Sequence, residues 1–326
     1  MAYAVKKDNI KSKKIVCLGG GIGTVNLIAG LKEYTDYITV VVSMADDGGS
    51  SGRLRRFYSI SPPGDLINCI AAMSNAEPLL RDLLVYRFSG DRYGSDRDLP
   101  GHKFGNLMLV ALTAMTGDFN KALSEMQRIF KTSGKILPST IENISIWAKT
   151  TTGAKVSREE NIDLGRFSGQ ITELHLEPAN PTVPHEVKDA MRQADVIIAG
   201  PGDLYTTILP VLLVPEIITA VKRSHARKIF LVNVANKLFE TPNYTLPDYI
   251  QAIMKHCKSA VFDTIIMNNN TINSIPKQFA DQYAHVPIFK KNKISDLAVI
   301  KADLVNDSFP LYHDSKKLAR AIRNTI

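Results

Sequence analysis

Two apolar runs near the amino terminus each break off into a glycine-rich loop, and that pairing restricts the fold more than any other feature of the chain. Residues 14–18, Lys-Ile-Val-Cys-Leu, read as a short buried strand entering Gly19-Gly-Gly-Ile-Gly23, and residues 24–32 follow with helical spacing. Residues 38–43, Ile-Thr-Val-Val-Val-Ser, form a second run that ends in Met44-Ala-Asp-Asp-Gly-Gly-Ser-Ser-Gly-Arg-Leu-Arg55. Strand, loop, helix and strand make a βαβ unit, whose strands lie parallel and whose helix crosses over between them. In such sheets ligands bind beyond the carboxyl ends of the strands, where both loops then sit. Backbone N–H groups of Gly21–Thr24 and Gly48–Gly52 can cradle phosphate. Asp46 or Asp47 can hold a ribose hydroxyl or, through water, a Mg²⁺ ion. Arg53 and Arg55 suit phosphate oxygens. The first loop is not a full G-x-G-x-x-G, because the third glycine position is Thr24 or Asn26. That departure, with no evident proton donor, argues against a nicotinamide dehydrogenase.

The remaining chain continues the alternation. Residues 62–65, Pro-Pro-Gly-Asp, form a turn before a helix over 66–73, with Asp65 placed to cap it. A loop at 101–106 leads into an apolar helix over 107–115, and another helix covers 120–131. From about 132 to 178 the segments are short, β-leaning and separated by Gly, Asn and Thr, which predicts a small β-rich insertion. Regular texture then returns. Strands are expected at 195–199, 228–233 and 262–267, with an edge strand at 297–300. Helices are expected at 187–193, 204–214, 246–256 and 314–326. Gly200-Pro-Gly-Asp203 is a third strand–loop–helix junction. The expected fold is α/β: a Rossmann-like, doubly wound, mostly parallel sheet in a single domain over 13–326, preceded by a flexible tail over 1–12. All three glycine junctions are expected to open on one edge of the sheet.

Composition narrows the function. The chain has 326 residues and a formal net charge of +8. A basic balance suits an anionic partner, but the lysines are scattered and no nucleic-acid-binding motif is present, so an anionic small molecule is expected rather than nucleic acid. Three cysteines without close spacing fit a reducing compartment. The first 14 residues hold no apolar core of a signal peptide. The longest apolar stretch, residues 208–218, is broken by Pro210, Pro215 and Glu216, so no membrane span is expected and the protein is expected to be cytoplasmic. The histidines show no metal-binding spacing, and no nucleophile elbow is present.

In fixed order the chain carries Gly19-Gly-Gly-Ile-Gly23, Ala45-Asp-Asp-Gly-Gly-Ser-Ser-Gly-Arg-Leu-Arg55, Pro62-Pro-Gly-Asp65, Tyr86-Arg-Phe88, Gly101-His-x-x-Gly-Asn106, Gly200-Pro-Gly-x-Leu-Tyr-Thr206 and Asn233. From Lys14 to about Ala319 this resembles the YvcK/CofD-like family, also called the gluconeogenesis-factor or 2-phospho-L-lactate-transferase-like family, and within it the YvcK-type branch. The resemblance implies binding of a nucleotide sugar of the UDP-N-acetylglucosamine type and a role in cell shape and wall synthesis during gluconeogenic growth, without a firm catalytic reaction. Carried onto this chain, the implied ligand-binding residues are Gly20, Gly21, Gly23, Thr24, Asp46, Asp47, Gly48, Gly49, Ser50, Arg53, Gly64, Asp65, Asn68, Asn106, Gly200, Pro201, Gly202, Asp203, Tyr205, Asn233 and Tyr283. The chain departs from that branch in three places. Ile67 and Tyr312 stand where arginines are usual, and residues 234–241 keep only Glu240 and Thr241 of the usual late motif. The alternative is a Mg²⁺-dependent transferase moving a phosphorylated group from a nucleoside diphosphate to an acceptor hydroxyl, with Asp65 as the candidate base and Asp46 and Asp47 as the metal ligands. A nucleotide or nucleotide sugar is the expected partner, with Mg²⁺ not obligatory, and the expectations include a homo-oligomer.

Overall fold

The computed structural model describes residues 10–270 and 275–326. The expected tail falls largely on residues 1–9, outside the described residues, whereas Ile10 is buried against the core. Thirteen strands are described: β1 Ile15–Gly19, β2 Ile38–Val42, β3 Lys135–Pro138, β4 Ser145–Thr150, β5 Lys155–Ser157, β6 Ile171–Glu177, β7 Val196–Ala199, β8 Arg227–Leu231, β9 Ala235–Lys237, β10 Thr264–Asn268, β11 Tyr283–His285, β12 Lys293–Ile294 and β13 Leu297–Ala302. Eight form one sheet in the order β12-β13-β10-β8-β7-β1-β2-β3. Every pairing in it is parallel except β12 with β13. Strands covered on both faces read as unbroken apolar runs, and β1 and β7 are buried at every position.

The strand order fixes where a ligand can bind. The chain leaves β1 toward β2 and β3, then returns to build β7, β8, β10 and β13 on the other side. The order reverses between β1 and β7, where diverging crossovers leave a crevice at the carboxyl ends of the strands. Ile15 pairs with Ile38 on one side and Val196 on the other, so the β1, β2 and β7 strand ends are level. All three glycine junctions therefore meet at the switch point.

Three helices start there: α1 Gly21–Leu31, α2 Gly49–Tyr58 and α3 Gly64–Met73. The loop glycines belong to the helices' first turns, earlier than the sequence suggests. α1 packs on α3 and on the C-terminal helix Ser315–Thr325. Gly23 allows α1 to approach the third glycine junction closely, since a Cβ there would lie 2.3 Å from the Pro201 carbonyl oxygen. Thus Gly23 does the packing work that the missing third glycine of a dinucleotide fingerprint would do.

The β-rich insertion is smaller than expected. β3 joins the main sheet beside β2, with Thr39 opposite Lys135, and only β5-β4-β6 form a separate antiparallel sheet. β13 is covered by β12 and is not the edge. The expected helix over 204–214 opens instead as a π-helical turn, Leu204–Ile208, followed by Leu209–Leu212. Among the described residues no single helix is long and apolar enough to cross a membrane. Cys17, Cys69 and Cys257 are free and buried.

Candidate functional site

A cavity of about 660 Å³ opens at the switch point. Eleven of the residues expected at a ligand line it: Gly20, Gly21, Gly23, Asp46, Gly48, Asp65, Asn68, Gly202, Asp203, Asn233 and Tyr283. They come from all three glycine junctions, from α3 and from β11. The Asn233 side chain accepts from the Gly202 N–H at 2.9 Å, which ties the third junction to the end of β8.

Asp65 differs most from its expected role. It lies inside α3, whose cap position is Pro63 and receives no side-chain hydrogen bond. Its carboxyl instead accepts from the Gly21 N–H at the start of α1. Burial, with help from the Asp46 charge, pushes Asp65 up to about 7. Burial likewise raises Asp46, against hydrogen bonds from Ser51 and the Gly48 N–H. Glu159, from the insertion, is raised well above the carboxylate range by burial and then by Asp46.

The other expected residues stand behind the wall. Asp47 turns from the cavity, accepts from the Glu160 N–H at 2.9 Å and pairs with Arg158 at 3.2 Å. Asp46 and Asp47 therefore do not converge on one metal. Among the described residues no group of three or more His, Cys, Asp or Glu side chains is arranged to hold one. Thr24 is buried, its hydroxyl accepting from Gly20 N–H. Ser50 joins His102 and Asn106 in a buried hydrogen-bonded cluster. Gly64 packs against the Ser51 hydroxyl. Gly200 and Pro201 support the third junction without lining the cavity. Tyr205 is buried, and its hydroxyl meets that of Tyr244 at 2.8 Å. Ile67, where the branch has arginine, is fully buried in the core, whereas Tyr312 lines the cavity.

Arg53 does not face phosphate. Its guanidinium is buried and donates to the carbonyls of Asp91, Asp98 and Pro100. Arg55 donates to the Ile144 carbonyl, and Arg56 forms an ion pair with Asp96 at 2.7 Å. Arg53 and Arg56 thus hold the segment between Tyr86 and Phe104, of which the sequence marks only the Tyr86–Phe88 motif and the loop at 101–106. The Phe88 N–H donates to the His102 carbonyl, and Arg87 and Lys103 form an antiparallel bridge. The segment places Arg87, Arg92 and Lys103 on the cavity wall. Gly49, at φ +45°, lies under Arg92: a Cβ there would sit 2.4 Å from Nε. Its small size makes room for this arginine.

Across the cavity lies a second buried charge cluster. Lys237 pairs with Asp163 and, at 3.3 Å, with Asp203. Burial opposes its charge, but Asp203, Glu240 and Asp163 outweigh that and hold the amine protonated. Glu240, one of the two residues kept from the late motif, accepts from the N–H groups of Tyr205 and Thr206 at 2.7 and 2.8 Å. It anchors the π-helical turn.

Residues 15–305 match a family model described as "2-phospho-L-lactate transferase CofD". The chain belongs to the CofD family. It is 39% identical to a putative gluconeogenesis factor of Aquifex aeolicus, covering 96% of each chain. It is 38% identical to the gluconeogenesis factor of Bacillus subtilis, covering 94% of this chain and 96% of that one. A crystal structure of a UPF0052-family protein from Bacillus halodurans is similar at 38% identity and TM-score 0.89, covering 96% of this chain and 99% of that chain. Within the CofD family the chain thus lies among relatives named gluconeogenesis factors.

Proposed function

We propose that this chain binds a nucleotide sugar of the UDP-N-acetylglucosamine type in the switch-point cavity, as a gluconeogenesis-factor-like protein. The observation that carries the reading is the convergence of three strand–loop–helix junctions on one cavity. The first turns of α1 and α2 direct N–H groups and the positive ends of helix dipoles toward it, which suits a diphosphate. Asp46 and Asp203 offer acceptors for hydroxyls, and Tyr283 offers a ring face. Of the pair expected to hold Mg²⁺, only Asp46 faces the cavity, so a metal would come with the ligand's phosphates and neutralise their charge. The role in cell shape and wall synthesis, and a cytoplasmic location, rest on the resemblance alone.

One observation favours the transferase reading. Asp65 does not cap its own helix, borders the cavity, and is pushed by burial up to about 7, which suits a general base. Binding and turnover are separable in one experiment. Wild-type protein and Asp65→Asn are incubated with UDP-N-acetylglucosamine and Mg²⁺, with and without glycerol as an acceptor alcohol, following thermal stability and free UMP, the group left behind when a phosphorylated sugar is transferred. A ligand at 100 times its Kd adds about 2.7 kcal/mol. Stabilisation without UMP release is expected. Multiple-turnover UMP release that needs the acceptor and is abolished in Asp65→Asn makes the protein a transferase, and no stabilisation by UDP-N-acetylglucosamine overturns the reading.

A further inference from the structure

The segment joining α4 (Pro78–Val85) to α5 (Phe104–Thr116) brings three cations to one wall of the cavity. Arg87 and Lys103 are directly opposed across their antiparallel bridge, so their side chains leave on the same face. Arg92 comes from the loop between them. Within the described residues, none of the three makes an ion pair. Arg87 donates to the Gly101 carbonyl at 2.6 Å, Lys103 donates to the Asn68 side chain, and Arg92 lies over the Tyr93 ring. Burial and then Arg87 depress Lys103 to about 8, and burial and then Arg92 depress Arg87. Mutually repelling cations at a cavity wall are costly unless an anion completes them. Considerable structure is spent holding them: Arg53 takes three loop carbonyls, Arg56 takes Asp96, and Gly49 leaves room for Arg92.

We infer that Arg87, Arg92 and Lys103 form a second anion subsite, separate from the α1 loop that receives the nucleotide's diphosphate, and that it takes the phosphate monoester of a small second ligand. Three cations match a dianion better than a carboxylate, and guanidinium forks suit its oxygens. Asp65 lies close enough to sense Lys103 and Arg92. A ligand held there by its phosphate would place its remaining atoms beside that carboxyl. This inference rests on the proposed nucleotide site only in assigning the diphosphate elsewhere.

The test is calorimetric titration of inorganic phosphate and glycerol 3-phosphate, with acetate and glycerol as controls, at constant ionic strength. Wild type, Arg92→Gln and Lys103→Gln are compared, with folding checked by circular dichroism. Both phosphates should bind wild type and bind each variant at least tenfold more weakly, and acetate and glycerol should bind none of the three proteins. Repeated with saturating UDP, phosphate affinity should stay within threefold. Equal affinity in wild type and both variants refutes the subsite. Displacement of phosphate by UDP also refutes it, while leaving the nucleotide reading intact. Failure of UDP to bind, with variant-sensitive phosphate binding kept, removes the nucleotide reading and leaves the subsite standing.

Discussion

Asp65→Asn should stabilise this protein in alkaline solution and not in acid. The folded state raises the Asp65 carboxyl from its ordinary 3.8 to about 7. A raised acid holds its proton more tightly when folded, so its contribution to stability is full below about pH 3.8. It is lost as pH rises through about 7, because the unfolded chain has already released the proton. Asparagine keeps the shape and can still accept from the Gly21 N–H, but does not titrate. Between pH 5.5 and pH 8.5 the wild-type carboxyl passes through its folded pKa. At about 1.4 kcal/mol per pKa unit, that interval costs it about 2 kcal/mol relative to asparagine. Urea denaturation of both proteins at the two pH values measures the difference directly. The variant should gain about 2 kcal/mol on wild type between pH 5.5 and 8.5. A gap that stays constant within about 0.5 kcal/mol, or that closes as pH rises, would refute the reasoning and return Asp65 to an ordinary ionised carboxylate.

Asp47→Ala should lower stability by about 1–3 kcal/mol, because the Glu160 N–H loses its acceptor and Arg158 its partner; urea denaturation reads this, and calorimetry should show nucleotide affinity little changed. Tyr312→Arg restores the charge usual in the branch at a cavity-lining position and should tighten UDP-N-acetylglucosamine binding about tenfold by titration calorimetry, a charge-assisted contact of about 1.4 kcal/mol.

The sheet was legible because strands buried on both faces must be apolar throughout, and β1, β2 and β7 have no polar residue to blur the pattern apart from Thr39. The glycine junctions were legible for the same local reason. The partners of long-range polar groups were not. Asp47 reads as a ligand beside Asp46, yet its partners Arg158 and Glu160 lie more than a hundred residues away, on the insertion. Asp65 reads as a cap because a carboxylate at the head of a helix usually is one, and only the approach of Gly21 gives it another donor. Arg53 looks suited to phosphate, and nothing local shows the three carbonyls that fold over it. The cations between residues 87 and 103 carry no periodicity, and a two-residue bridge alone makes them neighbours. A paired Tyr-Arg-Phe and His-Lys-Phe flanking a turn-rich stretch was the signal available.

That bridge also separates the scaffold from the reader of the ligand. In the proposed binding mode the diphosphate lies on the first turns of α1 and α2 and needs no residue between 88 and 102. Among the described residues that stretch is pinned by its stem and by Ser50, Arg53 and Arg56 of α2, and it contributes no strand to the main sheet. Changes of its exposed side chains, charge reversals included, can therefore accumulate with little cost to folding so long as the carbonyls of Asp91, Asp98 and Pro100 stay on the buried Arg53. Descendants of one ancestral chain could keep the same nucleotide grip while acquiring different second ligands, and divergence of activity would be written into a dozen surface residues.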